Sequence, residues 1–450
     1  MWPSLSIGNS TMSSFELALA GLLALILLLV VRIPVGVAML AVGIVGYAAL
    51  SGLDPVLSYM NTAAFWQFAS YDFSVIPMFL LMGEFASRSG LSRSLFSAAN
   101  VFLGHRRGGV AMAAVGGCGA FGAICGSSLA TAGTMARVAI PELRRYHYSG
   151  SLATGALAAG GTLGILIPPS VALIIYAIAV QANIVQMFQA ALIPGILGLL
   201  GYLAAIAIWV RVDPASGPVG ARATGRQRAR ALLETWPTLL LFVVVIGGIY
   251  FGVFDPTEGA AVGAFGAGVL ALSKGHMGLD GFLACLKDAA KTTGMIFLIL
   301  LGAGFLNIFM ALTGVADQLS ALAAESGMNP YAILVLLLLI YLALGCLMDS
   351  LAMIFLTIPI FWPIVAGLNF GMPEADLKMW FGIVTLIVVE AGLITPPVGI
   401  NVLIINHHAP DVPMRDTFRG VMPFLLSGAV RVAILILIPP ITLYLPHVLM

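Results

Sequence analysis

Apolar residues run through this chain in long stretches, with polar residues confined to short gaps between them. A helix needs roughly 17–25 apolar residues to cross a hydrocarbon core. Runs of that kind predict spans at about 15–31, 35–50, 72–88, 150–180, 187–210, 236–253, 258–273, 291–313, 378–405 and 420–446. Two more apolar regions, 108–143 and 330–367, carry a polar interruption near the middle. Each is expected to be a re-entrant hairpin, two half-length helices meeting at a tip. The first tip reads CGSSLATAG (125–133) and the second LMDSLAMIF (347–355). Moderately amphipathic stretches near 92–104 and 278–290 are expected to lie along the interface as connecting arms.

A phrase that breaks helices occurs twice. GGTLGILIPPS (160–170) and EAGLITPPVGIN (390–401) align on their double prolines with an offset of 228 residues (396 − 168). The serine-leucine-alanine of the two tips aligns with an offset of 222 (350 − 128). Hairpin plus broken helix therefore repeats as a unit in each half of the chain. Proline lacks a backbone N–H and clashes with the preceding turn, so these runs free several carbonyls. Hydrocarbon cannot solvate them, and broken helices at membrane depth survive only where they line a protein cavity or hold an ion. Paired breaks in two halves point to a secondary transporter with its site at the repeat interface.

Composition bounds the class. The chain is 60% hydrophobic and 9% charged, with a mean hydropathy of +1.07, which excludes an ordinary soluble domain. A net charge of +1 argues against a nucleic-acid partner. Cys118, Cys125, Cys285 and Cys346 have no zinc spacing, and the adjacent His407 and His408 form no metal motif, so no transition metal is expected. No phosphate-cradling loop and no nucleophile-plus-base pattern appears, so neither an ATPase nor any other enzyme is expected. The first fourteen residues lack the basic stretch of a secretory signal, and 15–31 is expected to be a retained span.

Orientation follows from the cations. With the N-terminus outside, Arg32, Arg88, Arg93, Arg106, Arg107, Arg144, Arg145 and Lys274 fall on the cytoplasmic side, as does the loop 211–230 with its five arginines. The positive-inside rule selects this arrangement and places both termini in the periplasm. The predicted fold is an all-α polytopic membrane protein of two inverted-topology repeats, 1–210 and 236–450, joined by a cytoplasmic Arg-rich linker at 211–235. The first hairpin enters from the cytoplasm and the second from outside.

Half-helix ends carry about half a unit of charge, positive at the N-terminus and negative at the C-terminus. Freed carbonyls and hydroxyls are hard oxygen ligands, so tips and breaks suit Na⁺ beside an anionic substrate. The candidates in the first half are Ser127, Ser128 and Thr131 at the tip, with Gly161, Thr162 and Gly164 at the break. In the second half they are Asp349, Ser350, Gly392, Thr395 and Pro396. Ser170, Glu390 and Asn401 flank the breaks and are candidates on the substrate side; Glu390 has a proton-carrying role as its alternative. A carboxylate deep in a bilayer is costly and marks function by default, which singles out Asp349. The bland reading is that such Ser, Thr and acidic groups satisfy neighbouring helices. Arg137, about 13 Å along a helix from Ser128, is read as a snorkelling arginine near the cytoplasmic surface, and Glu84 as structural.

Together, the tip GSSLATAGTM, the break GGTLGILIPPS, the second tip MDS and the break GLITPPVGIN resemble the large membrane subunit of TRAP transporters, the DctM type. The resemblance covers nearly the whole chain. It implies a scaffold plus a moving, elevator-like transport domain in a bacterial inner membrane. It also implies Na⁺-coupled uptake of a small organic acid delivered by a periplasmic binding protein. A small four-helix membrane subunit is implied too, expected here as a separate chain. The family's ion ligands map onto Ser127, Ser128, Thr162, Asp349, Ser350 and Thr395. The alternatives are a stand-alone divalent-anion/Na⁺ symporter of the same architecture, and a passive channel or scaffold.

Overall fold

The computed structural model describes residues 6–7, 10–11, 13–273 and 277–449; Lys274 lies outside them. Apart from a two-residue antiparallel pairing of Ser6–Ile7 with Ser10–Thr11, the described secondary structure is helical. In an apolar solvent the free N–H groups of each first turn need protein partners. Short polar side chains supply them: Asn183 caps Ile184–Val212, Ser149 caps Gly150–Gly161, and Thr224 with Gln227 forms a capping box on Gly225–Tyr250.

Among the described residues, four helices are individually long and apolar enough to cross a membrane: Ile184–Val212, Gly225–Tyr250, Leu279–Thr313 and Met414–Leu437. A fifth span is the bent pair Gly150–Leu166 and Val171–Ala179, which turn by 47° at the break. The hairpins form as expected. Gly109–Cys125 and Ser128–Arg145 meet at the first tip, and Pro330–Gly345 and Ser350–Ala366 at the second. The second broken helix runs Glu374–Gly392, then Ile400–His408. Both expected double prolines contain a cis bond, Pro168–Pro169 and Pro396–Pro397.

Elsewhere the structure departs from the expected spans. The linker at 211–235 is helical from Gly225 onward, because the Thr224 cap starts a helix that Arg230 and Glu234 reinforce one turn apart at 2.9 Å. The amphipathic arm at 278–290 and the span at 291–313 are one continuous helix of 35 residues, uninterrupted by proline. Leu53–Phe68 and Val315–Glu325 are further helices, too mixed in polarity to stand out as long apolar runs. The region 420–446 divides at Pro439 into Met414–Leu437 and Pro440–Leu449.

The described chain divides into two compact units, each drawing on both halves of the sequence. One comprises Met1–Ser74, Ala290–Leu337 and Leu351–Leu377. Its packing rests on glycine contacts. A Cβ on Gly36 or Gly43 would come within 2.9 or 2.5 Å of the backbone at Ile299 or Leu306, and Gly46 lies under the Phe309 ring. Helices can approach this closely only where side chains are absent, and such contacts take over where no hydrophobic effect drives helices together.

The other unit comprises Val75–Ala289, Leu338–Ser350 and Lys378–Met450. At its centre, the first hairpin helix Gly109–Cys125 buries nearly every residue. Gly155 and Gly420 bring the helices Gly150–Gly161 and Met414–Leu437 into backbone contact; a Cβ on Gly155 would lie 2.3 Å from the Gly420 carbonyl carbon. Beside that contact the Thr154 and Thr417 hydroxyls share a hydrogen bond of 3.0 Å. Every candidate residue named from the sequence falls in this second unit.

Candidate functional site

Each hairpin tip packs on the break of its own half. At the first tip, Gly126 takes the left-handed conformation (φ +64°) that ends Gly109–Cys125, a conformation glycine adopts without a Cβ penalty. Ser127 then caps Ser128–Arg145 by accepting from the Ala130 N–H. The tip lies against the first break: a Cβ on Gly126 would sit 3.1 Å from the Pro169 carbonyl oxygen, and one on Gly122 only 2.3 Å from the Gly164 Cα. In the second half, a Cβ on Gly392 would sit 2.6 Å from the Gly345 Cα, and Cys346 Sγ donates to the Pro396 carbonyl at 3.3 Å.

One side chain ties the two halves together. Glu390 is 1% exposed; its Oε2 accepts the Ser128 hydroxyl, and its Oε1 accepts the Ser350 hydroxyl at 2.6 Å. Both partner serines begin the return helices of their hairpins. The carboxylate thus bridges two tips far apart in sequence. Asp349 is half-buried, within electrostatic reach of Glu390.

The other candidates divide into two kinds. Thr131 is fully buried, its Oγ1 has no hydrogen-bond partner of normal geometry, and it faces Gly164, where a Cβ would lie 2.8 Å away. Asn401 is also fully buried; its Nδ2 donates to the Ala158 carbonyl at 3.4 Å, it borders Gly161, and its Oδ1 has no partner. Unpartnered buried oxygens are costly, and a hard cation is the ligand that such oxygens suit. By contrast, several hydroxyls are already committed. Thr162 Oγ1 donates to the Ala159 carbonyl at 2.6 Å and lies 3.2 Å from the Tyr202 hydroxyl. Thr395 Oγ1 donates to Ala391 at 2.6 Å, and Ser170 accepts from the Leu173 N–H as the cap of Val171–Ala179. Among the described residues, no group of three His, Cys, Asp or Glu is placed to hold a metal.

Sequence reasoning missed Arg431. It is 4% exposed, its Nε and Nη1 have no hydrogen-bond partner, and it interacts electrostatically with Glu390 and Tyr202. Gly198 makes room for it, since a Cβ there would fall 1.8 Å from Nη1. A lone cation inside GAVRVAILIL was the available signal, because apolar segments rarely carry one without purpose.

These paired tips and breaks are accompanied by a match over most of the chain. The profile described as the tripartite ATP-independent periplasmic transporter, DctM component, matches residues 22–441. The chain belongs to this family. As a DctM-family protein it is a membrane transporter permease subunit and not an enzyme. It is 34% identical over 378 residues to the C4-dicarboxylate TRAP transporter large permease DctM of Pseudomonas aeruginosa, covering 84% of this chain and 86% of that one. It is 30% identical to the isethionate TRAP transporter permease DctMQ of Oleidesulfovibrio alaskensis, covering 96% of this chain and 65% of the longer relative. The sialic acid large permease SiaM of Vibrio cholerae is 28% identical, with 83% and 85% covered. In fold, the DctM-family chain resembles the YdaH transporter of Alcanivorax borkumensis, with a TM-score of 0.58 at 13% identity over 93% of this chain and 97% of that one.

Proposed function

We propose that this DctM-family subunit imports a small organic acid across the bacterial inner membrane, driven by Na⁺. A periplasmic binding protein delivers the acid, and a separate small membrane subunit completes the complex. The observations carrying the reading are the Glu390 bridge to Ser128 and Ser350 and, at the first break, the Thr131 and Asn401 oxygens left without hydrogen-bond partners. Backbone carbonyls freed at the breaks supply further oxygen ligands for Na⁺, and half-helix N-termini favour the carboxylate of the substrate. Ser127, Ser128, Thr131, Gly161, Thr162, Gly164, Asp349, Ser350, Gly392, Thr395 and Pro396 form the ion side, joined by Asn401 through its unpartnered Oδ1, with Ser170 and Glu390 toward the substrate. The two halves are inverted repeats with both termini periplasmic, and the unit that holds the tips moves as an elevator.

Relatives named for C4-dicarboxylates, isethionate and sialic acid set the panel of acids to test. Proteoliposomes containing the chain, its small subunit and its binding protein should take up one of these acids only when a Na⁺ gradient and the binding protein are both present. Uptake driven by ATP in the absence of Na⁺ contradicts the proposal. Uptake without any binding protein favours a stand-alone symporter instead.

A further inference from the structure

Beside the first hairpin lies a second polar feature that the tip site does not use. A cavity of about 1140 Å³ is bounded by the end of Tyr71–Arg88, the start of Leu91–Leu103, the middle of Ser128–Arg145, and residues 233–237. Its walls carry Arg88, Arg93 and Arg137 together with Ser87, Ser92, Ser94, Ser97 and Thr134. An apolar helix bundle has no packing reason to gather so many polar groups around empty space.

The charges in this cavity are not self-cancelling. Arg88 is paired with Asp288 at 2.7 Å, with Glu84 also in electrostatic reach, and Glu234 is held by Arg230 at 2.9 Å. Arg93 and Arg137 have no carboxylate within ion-pair distance among the described residues; Arg137 donates only a long hydrogen bond of 3.4 Å to Thr134. His408, the last residue of the second broken helix, lies within electrostatic reach of Arg137. The helix Leu91–Leu103 also starts at this wall, with Gly90 as its cap and no side chain satisfying its first N–H groups. Two uncommitted guanidiniums, an uncapped helix N-terminus and a row of hydroxyls all favour an anion.

Position ties the cavity to the tip. Arg137 and Ser128 share one helix, nine residues or about 13 Å apart. We infer that this cavity is an anion-binding vestibule on the transport route, which takes the carboxylate of the transported acid after it leaves the first hairpin tip. The inference rests on the transport reading above, and it assigns Arg93 and Arg137 to holding the anion.

Charge-selective labelling tests it without relying on transport. The native cysteines are all buried, so a Ser97→Cys chain carries one exposed reporter in the cavity wall, and the parent chain supplies the blank. In the assembled complex, the ratio of labelling rates with an anionic and a cationic methanethiosulfonate reagent, normalised to a free small thiol, should exceed 1 by about five-fold. Arg93→Gln/Arg137→Gln in the same background should bring the ratio to about 1, and succinate, isethionate or sialic acid should slow labelling. Ser94→Cys provides a second reporter if Ser97→Cys assembles poorly. A ratio at or below 1, or one unchanged by the arginine substitutions, overturns the vestibule while leaving Na⁺ coupling untouched. Protection by phosphatidylglycerol nanodiscs and by none of the three acids also overturns it, because the anion would then be a lipid headgroup.

Discussion

Glu390 accepts the hydroxyl of Ser128, a residue 262 positions earlier in the chain, and so fastens the second broken helix to the first hairpin tip. Its other oxygen does the same for Ser350 at 2.6 Å. A buried carboxylate satisfied on both sides is an energetic unit: removing it strands two buried hydroxyls at about 1–3 kcal/mol each. Glu390→Ala should lower the melting temperature in detergent and reduce uptake at least ten-fold. In a cycle with Ser128→Ala and Ser350→Ala the effects should be non-additive by about 1 kcal/mol or more. Additive losses would mean that the three side chains act independently.

The glycine contacts give a sharper steric prediction. Gly122→Ala and Gly392→Ala would force a methyl to within 2.3 Å and 2.6 Å of backbone atoms in Gly164 and Gly345, which cannot move aside as a side chain can. Each should cost roughly 1–3 kcal/mol and reduce transport by opening the seam between tip and break. Gly116→Ala and Gly247→Ala meet nothing within 4 Å and should be neutral or slightly stabilising, as expected for alanine in a helix. Thermal melts of the four variants decide it. Equal effects at all four positions would contradict the contact argument.

Arg431 makes a test in the opposite sense. A buried guanidinium whose Nε and Nη1 lack hydrogen-bond partners is tolerable only with a counter-charge, and Glu390 is an acid within electrostatic reach. Arg431→Met alone should destabilise the protein, and combining it with Glu390→Gln should recover at least about 1 kcal/mol of that loss, read as melting temperature. A double variant as unstable as the sum of the single variants would show that the two charges do not compensate each other.

Asp349 stands at the second tip where the first tip carries Ser127. Asp349→Ala should abolish uptake while leaving insertion and the melting temperature close to wild type. Its side chain is only half-buried, so little core is lost. Wild-type uptake in that variant would remove Asp349 from the mechanism.

The tips and breaks were legible because their chemistry is local: Pro168–Pro169 and Pro396–Pro397 interrupt a helix wherever they occur, and Gly126 closes one by its backbone alone. What Glu390 does was not legible. Its partners lie 40 and 262 residues away, and only folding brings them to one carboxylate. Helix ends failed where apolar length was the sole guide. Thr224 starts its helix inside an arginine-rich run, and Leu279–Thr313 continues through a polar stretch that no proline stops. Arg431 was visible as a lone cation, but its meaning depended on the room left by Gly198 on another helix.

The most direct measurement of the central reading is ²²Na⁺ binding to the purified protein, compared between wild type and the variants Thr131→Val, Asp349→Ala and Asn401→Leu. Saturable binding that K⁺ does not displace, weakened at least ten-fold by each substitution in correctly folded protein, is the predicted result. Absence of saturable Na⁺ binding, or binding unchanged in all three variants, would contradict the proposal that the hairpin tips and helix breaks cradle the coupling ion.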